Sequence, residues 1–184
     1  MPNYFRSHVP GGTYFFTAVT LGPRPILTTP LGRTCLRHVI RAVRAERPFE
    51  VVAIVLLPDH IHTIWRLPPG DEDYSTRWGL IKERFTRSYV SGGGREGTAT
   101  KSRRRHRERS IWQRRFWEHL VRDEHELKRC ADYIHWNPRK HRLTERVGDY
   151  PWSSFHRCAA AGEYPVNWGS ADPCPGYDEP EWGE

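Results

Sequence analysis

Apolar side chains recur along this chain with two periods, and the switches between them lay out its elements. Residues 13–20 (TYFFTAVT) are largely aromatic or β-branched and lie between Gly11-Gly12 and Gly22-Pro23, which predicts a buried strand. In residues 30–46, Leu36, Val39, Ile40 and Val43 fall at i, i+3, i+4 and i+7 with arginines between them, the spacing of an amphipathic helix. Residues 49–57 form a nearly continuous apolar run of strand length. A second run, 60–67, follows Pro58-Asp59, so the two predict an antiparallel pair with histidines just past the turn. Residues 74–89 place Trp78, Ile81, Phe85 and Tyr89 on one face of a helix, opened by the acidic stretch 71–73 and capped by Ser75. Residues 112–121 then read as a strand. A last helix starts at or just after Asp123, carries the stripe Leu127, Cys130, Ala131 and Ile134, and ends near Pro138.

The order strand, helix, strand, strand, helix, strand, helix predicts an α+β fold of the ferredoxin/RRM-like split βαβ kind, an antiparallel sheet with helices packed on it. Residues 1–168 are expected to form one domain, with 139–168 folding back over the core through Trp152, Phe155 and Tyr164. The Pro- and acid-rich residues 169–184 are expected to be a disordered tail. The mean hydropathy is −0.77, and no apolar run approaches the ~20 residues of a membrane span, so the expectation is a soluble, cytoplasmic protein with no membrane partner. Cys35, Cys130, Cys158 and Cys174 are scattered without a C-x-x-C pair, which predicts reduced thiols rather than a disulfide framework or a zinc knuckle.

Charge changes the picture. The net charge is +7, but residues 92–110 carry seven basic side chains against Glu96 and Glu108, while residues 169–184 carry five acids and no base. Such a field draws in a polyanion. Only four of the 29 basic residues are lysines, and a guanidinium both forks onto phosphate and stacks on bases. Residues 92–110, Gly-rich and then Arg-rich with Ala99 as the one apolar side chain, are expected to be a mobile loop, either a nucleic-acid arm or a solvated insertion.

The candidate chemistry sits elsewhere. His60 and His62, at i and i+2 on a strand, point to the same face and can grip one metal ion. Tyr133 and Asn137, four apart on a helix, share a face on the flank of its apolar stripe, at the edge of the core and facing outward. A tyrosine attacks phosphorus covalently when a metal withdraws charge from the scissile phosphate. Three protein ligands with open positions mark a catalytic ion, and a carbonyl oxygen from Asn137 favours Mg²⁺ or Mn²⁺. The spacing of His135 turns it away from Tyr133, which predicts a surface residue rather than a proton carrier.

Read in order, six blocks resemble a known family. They are residues 11–17 (GGTYFFT), Leu57-Pro58-Asp59-His60-Ile61-His62, Trp78-Gly79-Leu80-Ile81-Lys82, residues 111–119 (IWQRRFWEH), Asp132-Tyr133-Ile134-His135-Trp136-Asn137-Pro138 and Tyr150-Pro151-Trp152-Ser153-Ser154-Phe155. Together they look like the HUH single-strand transposases with one catalytic tyrosine, and within those the REP-associated tyrosine transposases, over nearly the whole length. The resemblance implies that His60 and His62 bind a divalent metal, Mg²⁺ or Mn²⁺, with Asn137 as third ligand. It implies that Tyr133 attacks DNA to leave a 5′-phosphotyrosyl link and a free 3′-hydroxyl, and that the substrate is a single-stranded DNA hairpin of the REP type, in a bacterial, nucleoid-associated setting. The basic side chains expected to meet DNA are Arg95, Lys101, Arg103, Arg104, Arg105, Arg107, Arg109, Arg114, Arg115, Arg139 and Lys140, on a monomer or homodimer. Two features depart from the family pattern: residues 92–110 are longer than expected, and Arg139-Lys140-His141-Arg142 is more basic. The rival reading is a non-catalytic single-stranded nucleic-acid binder on the same RRM-like topology, its histidines incidental.

Overall fold

The computed structural model describes residues 7–106 and 108–170. Four strands, β1 (Thr13–Val19), β2 (Glu50–Leu56), β3 (His60–Arg66) and β4 (Trp117–Val121), pair antiparallel in the order β2-β3-β1-β4. This is the split βαβ sheet that the residue pattern predicts. Alternation along β1 divides the core in two. Tyr14, Phe16 and Ala18 face α1 (Pro30–Glu46) and α2 (Tyr74–Ser91), whereas Phe15 faces α4 (Glu124–Lys140) across the sheet. A third cluster, Trp136, Val147, Phe155, Cys158 and Tyr164, packs behind α4, so that helix is enclosed on both sides.

The helix starts follow local chemistry. Thr29 caps α1 by accepting from the Gly32 amide at 3.1 Å, with Pro30 in the first turn where its missing N–H is no loss. Gly32 is required by approach: a Cβ there would lie 2.0 Å from the Ile26 carbonyl oxygen. The cap of α2 is Asp73, bonded to the Thr76 amide at 3.0 Å, and not Ser75. Asp123 caps α4 through the Glu126 amide. Pro138 lies inside that helix, which continues to Lys140 because a proline near the C-terminus removes only one bond, to a carbonyl four residues back.

Two expectations are corrected. The last strand covers 117–121 rather than 112–121: Lys82 Nζ takes the carbonyls of Gln113 and Arg115 at 3.0 and 3.2 Å, Phe116 turns onto Trp78 and Phe16, and Trp112 keeps one isolated bridge to Thr20. Residues 92–110 are not a free loop. They contain α3 (Lys101–Arg105) and are pinned by Gly97 N to Ser110 O at 3.0 Å, by Arg24 Nη2 to Arg95 O at 2.7 Å, and by the Arg109–Glu96 pair. The segment 147–160, with a 3-10 turn at Val147–Asp149 and α5 (Phe155–Ala160), covers the outer edge of β2. Leu56 N donates to Trp152 O, Ile54 N to Ser154 Oγ and Ser154 N to Ile54 O, so the strand's backbone groups are occupied. Cys35, Cys130 and Cys158 are buried free thiols; Cys174, Arg107 and the acidic tail from 171 lie outside the described residues. No described helix is long and apolar enough to cross a membrane.

Candidate active site

The register of β3 against β1 sets His62 opposite Thr17 and His60 opposite Val19, and alternation sends both imidazoles to the α4 face together with Ile64. Their ring centroids are 4.8 Å apart and the planes nearly perpendicular. Thr17 Oγ1 lies 2.8 Å from His62 Nδ1, and Asp59 Oδ1 lies 2.8 Å from His60 Nδ1. When these oxygens accept, each Nδ1 carries the proton and each Nε2 presents its lone pair, the outer-shell arrangement that orients imidazole ligands. Both Nε2 atoms are buried.

Tyr133, Asn137 and His141 follow one another at four-residue steps on α4 and its C-cap, hence on one face. The Tyr133 ring stands 5.3 Å from that of His62, and the His141 ring stands 5.2 Å from that of His60. Asn137 is therefore held between them, opposite the histidine pair. It has no solvent exposure, and neither its Oδ1 nor its Nδ2 makes a hydrogen bond. A buried polar group left unmade costs about 1–3 kcal/mol, a cost that a bound cation would relieve. Among the described residues no group of three His, Cys, Asp or Glu side chains is placed to hold a metal. Two oriented imidazoles and one unused carbonyl oxygen fit a divalent cation with open positions. Lys140 Nζ, 5.1 Å from the centroid of the Tyr133 ring, adds a positive charge beside the phenol.

The placement of α4 corrects two sequence expectations. Tyr133 is 2 % exposed and Asn137 fully buried, so they lie beneath the surface rather than facing outward. His135 is also fully buried instead of exposed. The reasons differ: α4 lays the Tyr133 flank against the sheet, where its ring meets Phe15 and His62, whereas the segment 147–168 covers the opposite side and buries His135. His135 Nε2 lies 2.9 Å from Ser154 Oγ, and burial, assisted by Arg157 and Lys128, lowers its pKa to about 3. It is a neutral strut of the core. Sequence reasoning missed Thr17 and His141. Thr17 is found only through the β1–β3 register, and His141 only by extending the four-residue step from Asn137 past the helix end.

The basic residues divide. Arg95, Lys101, Arg104, Arg105 and Arg115 are exposed. Arg103 instead is buried, donating to the carbonyls of Arg109 at 2.8 Å and Trp112 at 3.0 Å, and so braces its own segment. Arg109 pairs with Glu96 and Arg114 with Glu108, and these partners hold both carboxyls below the usual range against the opposing effect of burial. Arg139 lies over the Trp136 ring and donates to Gly169 O at 2.6 Å.

No protein-family model matches the chain. It is 41% identical over 168 residues to a REP-associated tyrosine transposase of Escherichia coli (strain K12), a match covering 91% of each chain. To a putative REP-associated tyrosine transposase of Haemophilus influenzae (strain ATCC 51907 / DSM 11121 / KW20 / Rd) it is 43% identical over 170 residues, 92% of this chain and 94% of that one. The solved structure of a REP-associated tyrosine transposase bound to a REP hairpin superposes with a TM-score of 0.77 at 39% identity, covering 97% of this chain and 98% of the other.

Proposed function

The chain belongs to the REP-associated tyrosine transposases, enzymes that process DNA, and from that premise we propose that it cleaves and rejoins single-stranded DNA at REP-type hairpins through a phosphotyrosyl intermediate. The observation that carries the reading is the buried, unbonded amide of Asn137 facing two imidazoles whose Nδ1 atoms are already engaged. Mg²⁺ or Mn²⁺ bound by His60, His62 and Asn137 would withdraw charge from the scissile phosphate. Tyr133 Oη then forms a bond to phosphorus as the bond from phosphorus to the 3′-oxygen breaks; the phenol proton passes to solvent and the departing 3′-oxygen takes one up. One phosphodiester is exchanged for another, so a 3′-hydroxyl returning along the same path resolves the link and transfers the strand. Lys140, whose Nζ lies 5.1 Å from the centroid of the Tyr133 ring, would offer a cation to the phosphate oxygens. Because the Tyr133 ring is almost entirely buried, DNA has to displace part of its cover before attack.

The test is a covalent adduct assay with labelled hairpin DNA and Mn²⁺. Tyr133→Phe should abolish the adduct while changing DNA affinity by no more than about threefold, since only the nucleophile is lost from a packed ring. His60→Ala, His62→Ala and excess chelator should each abolish it as well. Adduct formation by Tyr133→Phe would refute the nucleophile. Undiminished cleavage in chelator would leave the histidines structural, and binding with no adduct under any condition would favour the non-catalytic reading.

A further inference from the structure

Away from the metal-site candidates, Arg33, Arg37, Arg41 and Arg44 stand at steps of four, four and three residues along one flank of α1. Arg157 faces them across a groove of about 510 Å³ that also takes in Trp152. Among the described residues none of these five arginines has a carboxylate partner, whereas Arg66, Arg77, Arg84, Arg109 and Arg146 each pair with one. Glu50, the one acid beside the groove, is engaged by Arg66 at 3.2 Å. The polar bonds that the five do make, from Arg33 to Thr28 O, Arg44 to Phe49 O and Arg157 to Val52 O, go to neutral carbonyls and leave the charges uncompensated. Between the arginines the floor is apolar and half-buried: Ile40, Ile54 and the Trp152 ring, over which the Arg33 guanidinium lies at 4.8 Å.

We propose that this groove binds the single-stranded part of the DNA substrate, with phosphates on the arginine rim and bases on the apolar floor. Two features select a single strand. A duplex hides its base faces and presents phosphate alone, for which an apolar, aromatic floor has no use, whereas an unpaired strand matches both surfaces. The arginines also span about 16 Å along α1 at its ordinary rise, a path suited to a run of successive phosphates. Continuity with the active site comes from the fold. Leu27 N donates to Pro58 O at 2.9 Å, so α1 begins beside the β2–β3 turn that delivers His60, and a strand leaving the histidines around that turn meets Arg33 first.

The inference rests on the preceding reading only in taking DNA with an unpaired segment as substrate; it needs neither the metal nor Tyr133. It is therefore tested by fluorescence anisotropy in chelator, on the full chain carrying Tyr133→Phe, with a hairpin bearing single-stranded tails and the same hairpin without them. Arg37 and Arg41 are exposed and make no described bond, so the double variant R37A/R41A should fold as the parent does, which circular dichroism checks. The expected result is at least a tenfold loss of affinity for the tailed hairpin. Its log–log salt dependence should flatten by about 1.4, at ~0.7 for each single-strand phosphate released. Affinity for the blunt hairpin should stay within twofold. Arg87→Ala, an exposed arginine paired with Glu83 on α2, should alter neither. Equal loss on the blunt hairpin would overturn the proposal in favour of a duplex surface. Undiminished binding of the tailed hairpin would reduce the arginines to a solvated face. A failure of the phosphotyrosine reading would appear instead in the adduct assay, with these affinities untouched.

Discussion

On the side of the sheet covered by α1 and α2, the buried guanidinium of Arg77 has all five of its N–H donors occupied. On the side covered by α4, the buried amide of Asn137 has none. Arg77 donates to Arg47 O, Pro48 O, Asp73 O and both carboxylate oxygens of Asp71, at 2.6 to 3.2 Å. It is 1 % exposed and Asn137 is 0 % exposed, so solvent repairs neither. A satisfied buried charge ties loops to a helix and is architecture. An unsatisfied buried dipole is a standing cost, about 1–3 kcal/mol, that a fold keeps where something else uses it. The contrast is between one residue that braces loops against a helix and one whose polar atoms are left unbonded, and substitutions of either can break it.

The largest effect should come from Arg77→Met. It preserves bulk but leaves three carbonyls and the partly exposed Asp71 carboxylate without their donor, and each buried acceptor left unmade costs about 1–3 kcal/mol. Chemical denaturation should show that loss. A change under 1 kcal/mol would mean that the surrounding loops re-form their bonds and that satisfaction of Arg77 is incidental.

Asn137→Leu should act in the opposite direction and by less. Leucine has the same branching without polar atoms, so the variant should equal the parent in stability or exceed it by about 1 kcal/mol. The covalent adduct should nevertheless be lost. A gain in stability with a loss of activity is the signature of a ligand position; a destabilisation of 2 kcal/mol or more would show that the amide was bonded after all.

These two residues also show how far the sequence alone reaches. Period-2 and period-3.6 patterns locate the first three strands and the three long helices to within a few residues, because burial against a single sheet imposes those periods directly, while the last strand begins five residues later than its pattern suggests. The pairing of His60 with His62 and of Tyr133 with Asn137 follows from the same arithmetic. What the pattern does not carry is the second cover on α4. An amphipathic stripe predicts one buried face, and the packing of Phe155, Tyr164 and Trp168 on the other side, which buries His135, depends on a chain reversal with no local period. Charge is misread for a similar reason. Residues 92–110 are the densest run of arginine, yet Glu96 and Glu108 neutralise part of it and Arg103 turns inward. The arginines of α1, spread through an unremarkable amphipathic helix, have no carboxylate partner among the described residues, and Glu50, the one acid beside their groove, is engaged by Arg66.

The smallest expected effect is a pH dependence, and its sign follows from the Arg77 side of the comparison. The bonds from Arg77 hold the Asp71 carboxyl below its ordinary value, opposed by burial and assisted by the Asp73 amide. A carboxyl whose pKa is lower in the folded chain binds its proton more readily when unfolded. The stability it contributes is thus complete above the ordinary carboxylate pKa near 4 and declines as pH falls through the folded value. Asp71→Asn removes this proton linkage. The variant should be less stable than the parent at pH 7, because Arg77 keeps its charge and loses its counterion, but its midpoint in urea should fall less steeply between pH 4 and pH 2. Parallel acid limbs for variant and parent would show that Asp71 is not a titrating partner of Arg77. The buried guanidinium would then be held by its three carbonyls, and the contrast with Asn137 would rest on neutral hydrogen bonds rather than on an ion pair.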